Sequence, residues 1–365
     1  MKILLLGDYS NVHATLAKGL RQLGHEVTVA SDGDGWKNYP RDVDLYRDMN
    51  WGRLKTLRYL WRLIKEFRKF RGYDVVQIIN PIFVPLKAER IMPLYNYLRR
   101  HNKRVFLGAY GMDYYWVLTG LDCSTFRYSD FNLGPEVRES EDNDMWIREW
   151  LRGKKGEVNQ YIAKDCDGIV AGLYEYYASY APHFQDKTQF IPFPIVPCNE
   201  VSPLNKEPQR IRFFIGIQKS RSAYKGTDIM LRALERVAQE LPEQCDIVKV
   251  ENAPFAEYVK LMNGSDVILD QLYSYTPAMN ALEAMARGLI VVGGAEPEHY
   301  DLMNEHELHP IINVQPNEES VYQALKELAL HPERIPQLKQ DSVNYILKHH
   351  DYVTIAQRYL KVWSK

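Results

Sequence analysis

Short, unbroken apolar runs alternate along the chain with stretches whose apolar residues recur every three or four positions. Ile3–Leu6 is continuous, apolar and closed by Gly7, the pattern of a parallel strand buried on both faces. Helical spacing follows from about Val12 to Leu23, with Ser10 or Asn11 placed to cap it and Gly24 placed to end it. Glu26–Ala30, Val75–Ile79, Val105–Leu107, Gly168–Ala171 and Phe190–Ile191 continue the strand series. Residues 196–210 carry three prolines and little hydrophobic pattern, which predicts a linker. Beyond it the alternation restarts: strands at Ile211–Ile217, Ile247–Val250, Val267–Leu269, Ile290–Val292 and Ile311–Val314, and helices at Thr227–Glu240, Phe255–Met262 and Asn280–Arg287. Repeated βα order predicts two α/β domains with parallel, doubly wound sheets. The expected boundaries are 1–195, the linker 196–210, 211–345, and a last helix within 346–365 that lies back across the first domain.

Composition narrows the function. With 46 Lys+Arg against 47 Asp+Glu the net charge is -1, which argues against nucleic acid as the main partner. No run of 18 apolar residues is present, and the amino-terminal Met1–Gly7 is too short for a signal peptide. The four cysteines form no Cys-x-x-Cys pair, so a disulfide framework and a zinc ribbon lack support. The expected location is cytoplasmic.

Candidate chemistry lies in the turns after the strands. The turn Gly7–His13 has one glycine where a dinucleotide fold needs three, so a nicotinamide or flavin enzyme is not expected. Gly7 and Asn11 remain candidates for a ligand at the strand's end, with simple helix capping as the equal alternative. The densest stretch is Asp266–Gly293: strand, loop, helix, glycine stop, strand. Its loop, Tyr275-Thr276-Pro277-Ala278-Met279-Asn280, runs into a helix start, where free N–H groups and the helix dipole suit a phosphate. Glu283, one turn in, is an acid among Ala, Leu and Met, able to accept two ribose hydroxyls.

Leu282-Glu283-Ala284-Met285-Ala286-x-Gly288 followed by two valines resembles the donor-site signature of family 4 glycosyltransferases. That family has the GT-B fold, with two Rossmann-like domains facing across a cleft, and retains the anomeric configuration of the transferred sugar. The resemblance makes 1–195 the acceptor-side domain and 211–345 the nucleotide-sugar donor domain. It gives Glu283 the role of the second of two glutamates, on the nucleotide ribose. The first, which contacts donor-sugar hydroxyls, would fall at Tyr275, a departure. Arg221-Ser-Ala-Tyr-Lys225-Gly226 is similar to the family's Arg…Lys-Gly segment, whose cations hold the diphosphate; Lys219 is an alternative to Arg221. Fixed cations there stabilise the charge that builds on the leaving group. Gly108-Ala-Tyr110-Gly111-Met-Asp113 resembles the family's His-Gly-x-Asp stretch, with Tyr110 in place of His. Tyr110 would offer a hydroxyl, and Asp113 would orient an acceptor hydroxyl or cap the next helix.

The resemblance implies a hexosyltransferase-type enzyme that uses a nucleotide-sugar as co-substrate, needs no further cofactor and no metal, and serves polysaccharide or glycolipid assembly. Asp42-Val43-Asp44 has DxD form but is expected in a polar loop away from the motifs. The rivals are a nucleotide-sugar epimerase of the same fold and a non-catalytic nucleotide-sugar-binding protein. The segment 53–71 is a basic helix. Leu54, Leu57, Trp61, Ile64 and Phe67 are expected against the sheet, and Lys55, Arg58, Arg62, Lys65 and Lys69 on the outer face. Such a helix is an ordinary solvated face or a peripheral contact with an anionic inner-membrane surface.

Overall fold

The computed structural model describes residues 1–48, 50–198, 207–251 and 255–365. Residues 199–206 of the expected linker lie outside them. In chain order the strands are β1 (Lys2–Leu6), β2 (Glu26–Ser31), β3 (Val43–Asp44), β4 (Val75–Ile78), β5 (Arg104–Ala109), β6 (Asn132–Leu133), β7 (Glu136–Val137), β8 (Gly168–Ala171), β9 (Thr188–Phe190), β10 (Ile211–Ile217), β11 (Cys245–Glu251), β12 (Val267–Leu269), β13 (Ile290–Gly293) and β14 (Ile312–Asn313). The chain divides into two compact units. The first comprises Met1–Asp122, Glu139–Pro194 and Tyr352–Lys365, and the second Cys123–Arg138 and Ile195–Asp351.

The first unit is built on a seven-stranded sheet in the order β3-β2-β1-β4-β5-β8-β9, with every pairing parallel. Its central strands are apolar at successive positions because helices cover both faces: Ile3 to Leu6 are fully buried. Asp42-Val43-Asp44 is not a free loop. Val43–Asp44 pairs with β2 as the edge strand, and Asp42 accepts the Val29 N–H at 2.7 Å. The carboxyl-terminal helix Tyr352–Trp363 returns to the first unit as expected and packs on the helix Val12–Gln22. A Cβ on Gly19 would stand 2.3 Å from the Tyr352 carbonyl oxygen, so glycine lets the two backbones approach. Trp363 is 1% exposed, and its carbonyl accepts Arg104 at 2.8 Å.

One helix of this unit departs in part from expectation. Arg53–Phe67 buries Phe67 and exposes Lys55, Arg58, Arg62 and Lys65 as expected, but its other buried residues are Tyr59 and Leu63, while Leu54, Leu57, Trp61 and Ile64 face outward. The sequence carries two apolar stripes, and the one with the hydroxyl is the one used: Tyr59 donates to the Leu45 carbonyl at 3.2 Å.

The second unit has a five-stranded parallel sheet in the order β11-β10-β12-β13-β14. Helices Thr227–Glu240 and Glu318–Leu330 cover one side, contributing Met230, Leu234, Val237, Val321 and Leu325 to its core. Residues 123–138 form a strap on this unit that ends in the short antiparallel hairpin β6–β7.

Candidate functional site

In the second unit, two loops leave the carboxyl ends of the paired strands β10 and β12. The first carries Lys219–Arg221, the short helix Ser222–Lys225, and Gly226 at φ +74°, before the helix Thr227–Glu240 begins. A Cβ on Gly226 would stand 2.7 Å from the Leu272 Cβ, so both the backbone angle and the approach of the second loop require glycine. The Leu272 N–H donates to the Lys225 carbonyl at 2.9 Å, which fastens the two loops together. The second loop leads into the helix Met279–Ala286. Neither this helix nor Thr227–Glu240 has a side-chain cap. Two helix starts, with their partial positive ends, therefore lie at the same edge of the sheet as Lys225.

The charges around Lys225 are ordered. Asp270 is buried and accepts Asn280 Nδ2 at 2.8 Å, and Asn280 Oδ1 in turn accepts the Tyr258 hydroxyl at 2.9 Å. Burial raises the Asp270 carboxyl above the usual carboxylate range, opposed by the Lys225 charge and the Asn280 bond. Lys219 pairs with Glu251 at 2.8 Å, whereas the exposed Arg221 lies 5.2 Å over the Tyr224 ring. Of the two alternatives, Arg221 is thus the one not held by that carboxylate. Glu283 is half-buried on the helix Met279–Ala286, 3.9 Å from Arg287. Thr276, Pro277 and Met279 are buried, and Ala278 and Asn280 partly so.

Tyr275, where the family's first glutamate would fall, turns its hydroxyl to the strap. It is 1% exposed, and the hydroxyl accepts the Arg127 backbone N–H from the strap at 2.6 Å. Phe126 and Tyr128 pack on its ring at 5.5 and 5.0 Å, and the Arg127 guanidinium lies 4.9 Å from it. Beside it, Glu296 is a buried acid that the sequence did not single out. It accepts the Tyr128 hydroxyl, Gln315 Nε2 at 2.9 Å, Asn313 Nδ2 at 3.2 Å and Arg127 Nη2 at 2.6 Å. Burial pushes its carboxyl up, but these bonds outweigh it and hold the group below the ordinary value. The strap reaches the first loop too: Arg138 lies 3.4 Å over the Tyr273 ring and donates to the Ala223 carbonyl at 3.1 Å, and Asp130 accepts the Tyr224 hydroxyl at 2.7 Å. No local signal marks these partners, because they are more than 80 residues from the strap in sequence.

In the first unit, Gly7 has φ +80°, and a Cβ there would stand 2.3 Å from Ile79 Cγ2. The expected capping by Ser10 or Asn11 is not found. Both have positive φ, and the helix start is held instead by Asp8, which accepts the His13 and Ala14 N–H groups at 3.0 and 3.1 Å. Burial pushes the Asp8 carboxyl up to about 7. The Asn11 carboxamide oxygen is buried with no hydrogen-bond partner among the described residues. The Tyr110 hydroxyl is turned inward: it meets that of Tyr359 inside the unit, and the ring is buried against Phe193 and His13. Asp113 is fully buried. It caps the helix Tyr114–Gly120 through the Trp116 N–H at 2.9 Å and accepts the Tyr180 hydroxyl at 2.8 Å. Burial pushes it up to about 7. Both residues hold the β5 turn from behind, because the aromatic core of the unit closes over them.

Residues 10–120 match a family model described as Glycosyltransferase Family 4, and residues 212–361 match one described as Glycosyl transferase-like. The chain matches no curated protein. Among solved structures, Anabaena HepE in complex with UDP and glucose is 14% identical with a TM-score of 0.62, covering 100% of both chains. Sucrose-phosphate synthase from Thermosynechococcus elongatus is 14% identical with a TM-score of 0.61, covering 100% of this chain and 98% of its own. WaaG, a glycosyltransferase involved in lipopolysaccharide biosynthesis, is 11% identical with a TM-score of 0.57, covering 99% of each.

Proposed function

We propose, for a chain that belongs to glycosyltransferase family 4 and has the GT-B fold, that it moves a hexosyl group from a nucleoside-diphosphate sugar to an acceptor hydroxyl with retention at the anomeric carbon. The carrying observation is the fastening of the Lys225 loop to Leu272, which brings a lysine and two uncapped helix starts to one edge of the second sheet. A diphosphate bound there meets Lys225, Arg221 and the N–H groups at Met279 and Asn280. Glu283, a turn further, accepts the ribose hydroxyls. As the glycosidic bond breaks, negative charge gathers on the diphosphate, and fixed cations and dipoles stabilise that state more than the ground state. In a same-face displacement the departing phosphate oxygen takes the acceptor proton. Residues 211–345, joined by the strap 123–138, then act as the donor domain, and the rest of 1–195 as the acceptor-side domain. There, Gly7 keeps the β1 turn close, and the unpartnered Asn11 oxygen is a polar atom left for a ligand. Tyr110 and Asp113 serve as scaffold for the β5 turn.

UDP-glucose is the first donor to try, since it accompanies HepE in a second structure, and a glycolipid or polysaccharide acceptor is in keeping with WaaG. UDP release from UDP-glucose, with the product's anomeric configuration read by proton NMR, tests the proposal. An α-linked product from the α-donor is expected. Epimerised donor formed without acceptor, or tight donor binding with neither hydrolysis nor transfer across a panel of sugars and acceptors, overturns it.

A further inference from the structure

The helix Arg53–Phe67 has an outward apolar stripe that nothing in the first unit covers. Leu54, Leu57, Trp61 and Ile64, spaced three, four and three residues apart, are 77, 61, 70 and 51% exposed. At 3.6 residues per turn they share an arc of about 80°. Cations surround the stripe: Arg53, Lys55, Arg58, Arg62, Lys65 and Arg68 are all exposed. Over residues 53–71 there are eight Lys or Arg and one acid, Glu66, which is held by Lys69 at 2.8 Å, in a chain whose net charge is -1.

We propose that this face docks on the surface of an anionic phospholipid bilayer, with the four apolar side chains in the acyl boundary and the cations at the level of the lipid phosphates. An amphipathic helix with a strongly charged rim lies in that plane, its apolar side sunk roughly 5–10 Å. Long Lys and Arg side chains let their stems follow the apolar stripe while their heads reach the phosphates. The Lys65 ammonium lies 5.7 Å from the Trp61 ring centre, the pairing of amphipathic ring and cation that suits the headgroup layer. The charge pattern selects this occupant. A second copy seated on the same face would bring its cations against these, like charge on like. A nucleic acid would leave the leucines and the tryptophan without a partner. Among the described residues no helix is long and apolar enough to cross a membrane, so the contact lies on the surface. The docking rests on the glycosyltransferase reading only for its purpose, which is to hold the acceptor-side domain at a lipid-linked acceptor. Lipid binding itself needs neither donor nor acceptor.

The test is co-sedimentation of the full chain with vesicles of phosphatidylcholine alone and of phosphatidylcholine with phosphatidylglycerol. Two double variants accompany it, Leu57→Ser with Trp61→Ser and Arg58→Gln with Lys65→Gln. All four positions are exposed, so circular dichroism and thermal midpoint should match the parent. The parent should bind only the anionic vesicles and lose binding as salt rises. Each double variant should bind at least about tenfold more weakly, or about 1.4 kcal/mol. Parent protein that stays in the supernatant with anionic vesicles overturns the proposal. So does an apolar double variant that binds like the parent. So does a lipid-free dimer that the Leu57→Ser, Trp61→Ser change abolishes, because the stripe then belongs to a second copy. Loss of transfer activity in any variant leaves this readout untouched.

Discussion

Replacing Glu296 by alanine removes the common acceptor that ties the strap to the second sheet. The Glu296 side chain is 5% exposed, and Tyr128, Asn313 and Gln315 all donate to it. Hydrogen bonds to a charged acceptor contribute about 1.5–3 kcal/mol each, and a donor left buried without a partner costs about 1–3 kcal/mol. The Arg127 contact adds less, because that arginine side chain is 54% exposed and screened. Donors can re-pair in part, so Glu296→Ala should destabilise the second unit by about 3–6 kcal/mol. Glu296→Gln keeps the shape and one acceptor oxygen and should cost about 1–2 kcal/mol. The pH dependence has a definite sign. The folded-state pKa of Glu296 is depressed below the ordinary glutamate value of 4.5, so its contribution is present above that value and is lost as pH falls through the lower, folded one. The gap between parent and Glu296→Gln should be full at neutral pH and shrink below about 4.5. Urea unfolding of the full chain at several pH values measures this, with hydrogen exchange of 123–138 read in parallel. The reasoning fails if Glu296→Ala costs less than about 1 kcal/mol and leaves strap exchange unchanged.

Lys225→Ala should lower turnover by about 10²–10³ while the chain stays folded, as loss of one preorganised leaving-group stabiliser does; near-parental turnover in a steady-state UDP-release assay removes that role. Glu283→Gln should instead weaken UDP binding with a smaller effect on turnover, since it loses charge-assisted bonds to neutral hydroxyls; calorimetry showing unchanged affinity would place the ribose elsewhere. Tyr275→Phe loses the acceptor for the Arg127 N–H but keeps the enclosed ring, so it should cost about 1–2 kcal/mol in denaturant unfolding and leave the preference among donor sugars unaltered; an altered preference would return Tyr275 to the sugar.

The α/β architecture was legible because each buried parallel strand is short, apolar and closed by a turn, as Ile3–Leu6 before Gly7 and Val267–Leu269 before Asp270 show. The carboxyl-terminal helix was legible for a similar reason, its apolar period outrunning the second domain. The helix Arg53–Phe67 was misread because periodicity finds a stripe but not its partner. When Leu54, Leu57, Trp61 and Ile64 run beside Tyr59, Leu63 and Phe67, only tertiary docking chooses between them. Asp8 escaped because its capping bonds span two residues with positive φ, a conformation not written in the residue types. Tyr110 and Asp113 were placed correctly after β5, but their burial depends on Tyr359 and Tyr180, which lie far along the chain. The role of Glu296 is wholly non-local: its donors sit at 127, 128, 313 and 315.

The strap sets an order of events during synthesis. Phe126, Tyr128 and Phe131, at most 2% exposed in the finished molecule, leave the ribosome well before the sheet that covers them. From Tyr128 to its co-donor Gln315 the ribosome needs roughly 10–40 s at about 5–20 residues per second. Over that interval three aromatic side chains wait uncovered beside a first unit that still lacks its own last helix, Tyr352–Trp363. Until residues 313–315 are made, Glu296 lacks two of its donors and the strap cannot close on its sheet. The same dependence means that a fragment cut at 195 would carry the strap away from the sheet that needs it.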